Sequence, residues 1–386
     1  MPGSIRVARL FGIDIRVHVS WILIFFLVVI SLADSIYPDN FPRWSREKTF
    51  IVSAVTAFFF FASVLAHELA HSLVARRFRM SVSSITLFLL GGVANLTREP
   101  PSARAEFFMA AAGPATSIAI GVLGIGLAFA IELVGRGASW LQPVEAVAGY
   151  LGPINVLVAL FNLIPGFPLD GGRVLRSIVW AVRGDRAFAT RVAARGGQII
   201  AGGIFLLAAG LVFGLIGDRD VTQGLWYGLI AYFLYSAASQ TLQQERLTTL
   251  VGNVRVGQLM TTDFRAVPTG ASVGQLIRDV VLPMNLRAIP VVSSDRLAGI
   301  VTIGDLRKVE QEQWSTATVD EVMTPASALP ALTPEDALTT ALERFATVEL
   351  PVLPVVRGPS LVGLLYRESI IAYVRMKEML GLEGRR

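Results

Sequence analysis

The sequence predicts a polytopic α-helical membrane protein of about six transmembrane helices with a small membrane-associated β-sheet, followed by an α+β tail built from a repeat. Three observations carry that reading. Hydrophobic residues fill 53% of the 386 positions and charged residues only 16%; the mean hydropathy is +0.59, too apolar for an ordinary soluble chain of this length. The apolar runs crowd into residues 20–243, whereas 252–386 has the mixed composition of a soluble domain. Within that tail, short motifs recur with a period of about 65 residues.

Crossing the hydrocarbon takes about 20 apolar residues, which places helices near 20–36, 50–75, 106–133, 145–164, 197–216 and 222–243. Trp21–Ala33 could also be read as a cleaved secretory signal, but further apolar runs follow it, so a retained first helix is expected. Arginines set the orientation. Arg6, Arg9 and Arg16 precede the first span; Arg76, Arg77, Arg79, Arg98 and Arg104 follow the second; Arg173, Arg176, Arg183, Arg186, Arg191 and Arg195 follow the fourth. The alternate segments are poorer, Arg136 being the single arginine of one, so the positive-inside rule predicts a multi-pass protein of the cell membrane with both termini cytoplasmic. The sequence pI of 9.8 is explained by these loops, and without an aromatic-interleaved basic patch nucleic acid is not an expected partner. Membrane lipid is.

Ser84–Leu96 is too short to span as a helix and reads as a re-entrant strand pair, which the alternating Gly12–Val19 segment could join. Irregular backbone at that depth is tolerated only where protein or a water-filled cavity covers it, as at a buried active site.

The chain has no cysteine and three histidines, His18, His67 and His71. Disulfides, thiolate metal sites and cysteine nucleophiles are therefore excluded, and any metal must be held by imidazole and carboxylate. His67-Glu68-Leu69-Ala70-His71 lies inside the second predicted span. On a helix the two imidazoles share one face and can hold one Zn²⁺, while Glu68 reaches the water on the metal. The bland alternative is a pair of polar helix residues satisfied by neighbours, yet three ionisable groups within five residues of an apolar span are costly and functional by default. With His71 five residues before Arg76, the site lies about 8 to 14 Å inside the cytoplasmic boundary. A catalytic zinc needs a third protein ligand. Asp170 is the best candidate because Pro165, Gly166 and Pro168 break the fourth span and free the backbone to aim it. Its alternative role is to cap the helix starting near Gly172; Asp14 and Glu106 are rivals that lack such a break. His18 reads as structural, and the glycines of 201–215 as helix-packing residues.

These motifs resemble the site-2 protease family of intramembrane zinc metalloproteases. The resemblance rests on His67–His71, on Asn162 with Pro165 and Leu169-Asp170-Gly171, and on Ala112-Gly113-Pro114. It implies one zinc per chain held by His67, His71 and Asp170, with Glu68 as general base and Asn162 stabilising the oxyanion. It also implies a membrane-embedded edge strand, formed here by Phe88 to Val93 with Gly91 and Gly92, that binds an unwound transmembrane protein substrate.

In the tail, Val256–Thr261 recurs as Val319–Thr324, Ala288–Val292 as Val352–Val356, and Gly299–Thr302 as Gly363–Tyr366. This resembles a tandem cystathionine-β-synthase (CBS) domain pair. The implied domains are 1–246 for the protease, 252–312 for the first repeat and 313–386 for the second. Such pairs often bind adenine nucleotides and self-associate, which implies an adenine nucleotide and a homodimer as partners. Thr302 and Asp305 are the expected nucleotide contacts, with Tyr366 and Glu368 as departures in the second repeat; a ligand-free pair with an assembly role is the alternative. The expected function is regulated proteolysis of membrane proteins, and the competing one a transporter or channel regulated by the repeat pair.

Overall fold

The computed structural model describes residues 3–88, 91–96, 99–134, 139–252, 254–284, 286–294, 296–348 and 350–380. It divides into two compact units, Met1–Gln243 and Gln244–Arg386.

The first unit opens with β1 (Ser4–Leu10) and β2 (Ile13–His18), then α1 (Val19–Ser31), which runs through a π-helical turn into α2 (Tyr37–Asn40). His18 starts α1 by accepting a hydrogen bond from the Ser20 backbone N–H at 3.2 Å, a capping role that fits its structural reading. Helix α3 (Arg46–Arg77) precedes β3 (Val82–Phe88) and β4 (Gly91–Leu96). Helices α4 (Ala103–Val134), α5 (Gln142–Asn162), α6 (Asp170–Arg183), α7 (Arg186–Val212) and α8 (Val221–Val251) follow.

Among the described residues, five helices are long and apolar enough to cross a membrane: Val19–Asn40, Arg46–Arg77, Ala103–Leu133, Gln142–Asn162 and Arg186–Val212. The sixth expected span falls on α8, where Thr222, Gln223, Ser236, Ser239 and Gln240 dilute the apolar residues. The fifth begins earlier than its apolar run. Gly184, in the left-handed conformation, ends α6, and the Asp185 side chain caps α7 by accepting from the Phe188 backbone N–H. Arg186, Arg191 and Arg195 thus belong to the first turns of α7 rather than to a loop.

The strands form one sheet in the order β1-β2-β3-β4. The alternating segment near Gly12 does join the pair, as β2 parallel to β3, and β1, which the sequence reading did not anticipate, extends the sheet by an antiparallel pairing. Phe88 ends β3 and pairs with Gly91, so Phe88 sits one strand inward of the edge strand β4 that carries Gly91, Gly92 and Val93. Leu89, Leu90, Arg98 and Arg136 lie outside the described residues.

The second unit contains β5 (Val267–Pro268), α9 (Val273–Leu276), α10 (Leu282–Met284), β6 (Ala288–Ser293), β7 (Arg296–Thr302), α11 (Ile303–Leu306), α12 (Val319–Val322), β8 (Thr324–Pro325), α13 (Leu338–Thr347), β9 (Val352–Arg357), β10 (Ser360–Tyr366) and α14 (Arg367–Met379). One six-stranded sheet, β5-β6-β7-β10-β9 with β8 on β7, joins the two halves. The repeated motifs clasp each other reciprocally. Thr324 and Pro325 pair with Ile300 and Gly299, while Thr261 bridges Leu364. Ala288, Ile300, Leu329, Val352 and Leu364, drawn from both repeats, form a shared apolar cluster. Ile300 is fully buried there. Ile300→Ala is expected to destabilise this unit by about 2–5 kcal/mol through the lost apolar transfer and the cavity left behind, read as faster amide hydrogen exchange in both repeats.

Candidate metal centre

His67 and His71 lie one turn apart on α3 and present both rings to the same side. His67 Nε2, His71 Nε2 and Asp170 Oδ2 stand 3.1 Å from one another. All three are withdrawn from solvent: His67 is buried, and the side chains of His71 and Asp170 are 13% and 17% exposed. Among the described residues this is the cluster of His and carboxylate groups able to hold a metal.

The outer nitrogens decide what the inner ones can do. His71 Nδ1 lies 2.6 Å from the Met109 carbonyl oxygen, which can only accept, so Nδ1 carries the proton and Nε2 of the neutral ring is a bare lone pair. His67 Nδ1 is anchored 2.9 Å from Ser117 Oγ. With its Nδ1–H on the carbonyl, the neutral His71 ring aims a lone pair at Asp170 Oδ2, and His67 does the same in the tautomer whose Nδ1–H donates to Ser117, a donor set that a bound cation satisfies. Tetrahedral zinc with bonds of about 2.0–2.1 Å spaces its ligands about 3.3–3.4 Å apart, so the donor set fits zinc with only a slight opening. Hydrogen bonding of the far ring nitrogens is the usual way in which such ligands are oriented.

Asp170 reaches the centre because the chain stops being helical after Asn162. The Phe167 backbone N–H donates to the Ala193 carbonyl of α7 at 3.1 Å, which holds the Pro-Gly segment against that helix. Leu169 is the extended N-cap of α6 and makes no side-chain cap. Asp170 thus opens α6, but its Oδ2 faces the histidines, and the capping alternative does not describe it. The two rival carboxylates are committed elsewhere. Asp14 lies between Arg6 and Arg9 of β1, and Glu106 is paired with Arg176.

Glu68 sits beside the edge strand. A Cβ at Gly92 would overlap the Glu68 Cγ and stand 3.0 Å from its carboxyl carbon, so only glycine allows β4 to approach this closely. Likewise a Cβ at Gly113 would fall on the Nε2 atoms of both His67 and His71. Helix α4 can press against the imidazoles because Gly113 lacks that atom. Asn162 closes α5 and donates from Nδ2 to the Val158 carbonyl at 3.0 Å, so its side chain is turned onto its own helix. His18 takes no part in the cluster; its Nδ1 is 2.8 Å from Ser20 Oγ. Met109 and Ser117 were not singled out from the sequence. A backbone carbonyl leaves no trace there, whereas Ser117 is a polar residue in an apolar run four positions after Gly113.

In the tail, Thr302 and Asp305 form a capping box: Thr302 Oγ1 donates to Asp305 Oδ2 at 2.7 Å, and the Asp305 N–H donates back at 3.3 Å. Lys308 holds the other carboxylate oxygen at 3.0 Å. Burial raises the Asp305 pKa, but these bonds outweigh it and hold the carboxyl below its ordinary range. The equivalent of Asp305 in the second repeat is Ser369, not Glu368, because it is the third residue of α14 after the N-cap Tyr366. Glu368 instead pairs with Arg287 at 3.1 Å.

The model for peptidase family M50 matches residues 55–141 and 126–209, the stretch that brings His67, Glu68, His71, Gly113 and Asp170 together. Rip3 of Mycobacterium tuberculosis, which carries the provisional name of a zinc metalloprotease, is 37% identical over 349 residues, covering 90% of this chain and 86% of that protein. The chain belongs to peptidase family M50, the site-2 protease family. It is a zinc metalloprotease with a CBS domain, whose model matches residues 256–312. The protein sll0528 of Synechocystis, also provisionally named a zinc metalloprotease, is 34% identical over 376 residues, covering 96% of this chain and 95% of its own. Among solved structures, the site-2 protease of Methanocaldococcus jannaschii matches 62% of this chain and 95% of its own with 29% identity and a TM-score of 0.40.

Ser117→Ala is expected to weaken zinc binding about 10- to 100-fold while leaving the ligand set intact, measured by competition with a chromophoric chelator.

Proposed function

We propose that the protein is an intramembrane zinc endopeptidase that holds one zinc ion per chain through His67, His71 and Asp170 and cuts membrane-protein substrates within or near the bilayer. The observation that carries this reading is the convergence of two imidazole nitrogens and a carboxylate oxygen at 3.1 Å, one of them on a ring whose proton is fixed on the far nitrogen. When bound, the zinc supplies Lewis-acid polarisation of the scissile carbonyl and acidifies the attacking water. Glu68, one residue from His67, accepts the proton of that water and returns it to the leaving amine. Asn162 stabilises the oxyanion once its amide swings away from the Val158 carbonyl that it now engages.

A transmembrane helix hides its carbonyls in internal hydrogen bonds, so the substrate has to unwind before attack. Strand β4 is the edge of its sheet, and its free side offers main-chain groups that can pair with an extended peptide. Gly92 lies against Glu68, so a strand added there runs past the general base; Gly91, Val93 and the neighbouring Phe88 would line its path.

The membrane setting is supported by five helices of sufficient length and apolarity and by large apolar side chains such as Leu123, Ile199 and Leu206 that are exposed on them. With α8 as a sixth span, the arginine distribution puts both termini in the cytoplasm. The tail is read as a CBS pair spanning 252–312 and 313–386, attached to a protease domain of 1–246, that regulates the enzyme or assembles it as a homodimer. An adenine nucleotide would engage Thr302 and Asp305, and since both are occupied in the capping box, its hydroxyls would have to compete for a carboxylate already satisfied.

Glu68→Gln is expected to retain zinc and lose cleavage by at least 10²-fold, in the range of general acid–base contributions. His67→Ala and Asp170→Ala should lose stoichiometric zinc, measured by elemental analysis of detergent-purified protein. A Glu68→Gln enzyme that cleaves at the wild-type rate would overturn the mechanism, and zinc-free folded wild type would favour a regulated transporter.

A further inference from the structure

Glu106 on α4 is fully buried, in a segment otherwise rich in alanine, glycine and phenylalanine. Its Oε1 accepts from Arg176 Nε at 2.7 Å and from Arg176 Nη2. Its Oε2 is buried without a hydrogen-bond partner among the described residues. The Arg176 side chain is 11% exposed, and its guanidinium lies 4.9 Å from the Phe167 ring centroid. A buried ion pair is a poor way to gain stability, because desolvating both charges offsets most of their attraction. The pair therefore calls for another explanation.

Its location supplies one. Glu106, Met109, Gly113 and Ser117 follow one another at spacings of three or four along α4 and so share one face. Met109 and Ser117 hold the outer nitrogens of His71 and His67. Arg176 belongs to α6, the helix that Asp170 opens, and stacks on Phe167, three residues before Asp170. The forked contact thus joins the helix that orients two of the three converging side chains to the helix and loop that deliver the third. Two N–H groups of one planar guanidinium converge on the single oxygen Oε1, which restrains the approach of the two helices more than one bond would.

We infer that Glu106 and Arg176 are positioning residues for the metal centre: their ion pair fixes α6, and with it Asp170, against the α4 face that orients both histidines. The inference rests on the proposed zinc site, and it assigns this pair a role neither as ligand nor in proton transfer.

The test is zinc affinity, by chelator competition, of the full-length chain in detergent, beside the unfolding midpoint of the metal-free form. Glu106→Gln/Arg176→Gln leaves no unpaired charge in the interior. It is expected to bind zinc about 10- to 100-fold more weakly, as for loss of other outer contacts of a metal centre, with the metal-free midpoint little changed. Arg176→Lys keeps a cation opposite Glu106 and so guards against misfolding of the double variant; it loses the fork and should shift zinc affinity in the same direction. Affinity within twofold of wild type in whichever variant is folded overturns the inference. Wild type that binds no zinc overturns the functional reading beneath it, so the two failures are distinguishable.

Discussion

Three potential metal-binding atoms brought to one buried point are the constraint on which the protease unit depends. His67 Nε2, His71 Nε2 and Asp170 Oδ2 approach to 3.1 Å, a spacing close to that of ligands around one tetrahedral ion. Each neighbouring element can be understood by what it contributes to that approach. Helix α3 supplies two rings in one rigid register, the break after Asn162 supplies a carboxylate, and α4 supplies the hydrogen bonds that fix the rings.

Close approach of backbone is what makes this possible. Helix α4 reaches the imidazoles only because Gly113 has no side chain, and β4 reaches Glu68 only because Gly92 has none. In an apolar surrounding, where helix association draws on packing and interhelical hydrogen bonds more than on burial from water, small residues at contacts are the expected solution. The same logic makes Glu106 conspicuous: where most contacts are made by small apolar residues, a fully buried carboxylate has been paired with an arginine from the helix that Asp170 opens.

The tail follows a different principle. Its repeated motifs owe their recurrence to packing, since the Met-Thr segment of each half lies on the Gly-containing strand of the other and the halves share an apolar cluster. Thr302 and Asp305 are engaged locally, where they cap α11 in a reciprocal box.

By itself the sequence determined much about this protein. The HExxH spacing on a helix, the absence of cysteine, the Pro-Gly break before Asp170 and the duplicated tail were all legible, because each is a local pattern whose geometry follows from covalent structure and periodicity. The start of α7 was misread because the apolar run begins after the helix does, and the cap at Asp185 outweighed it. Only the tertiary structure decided the rest: that Met109 and Ser117 hold the rings, that Glu106 and Asp14 are paired elsewhere, that β1 joins the sheet, and that Asn162 lies turned onto its own helix. These depend on which faces of distant elements meet, and a backbone carbonyl or a buried ion pair between residues 70 positions apart has no signature in local sequence.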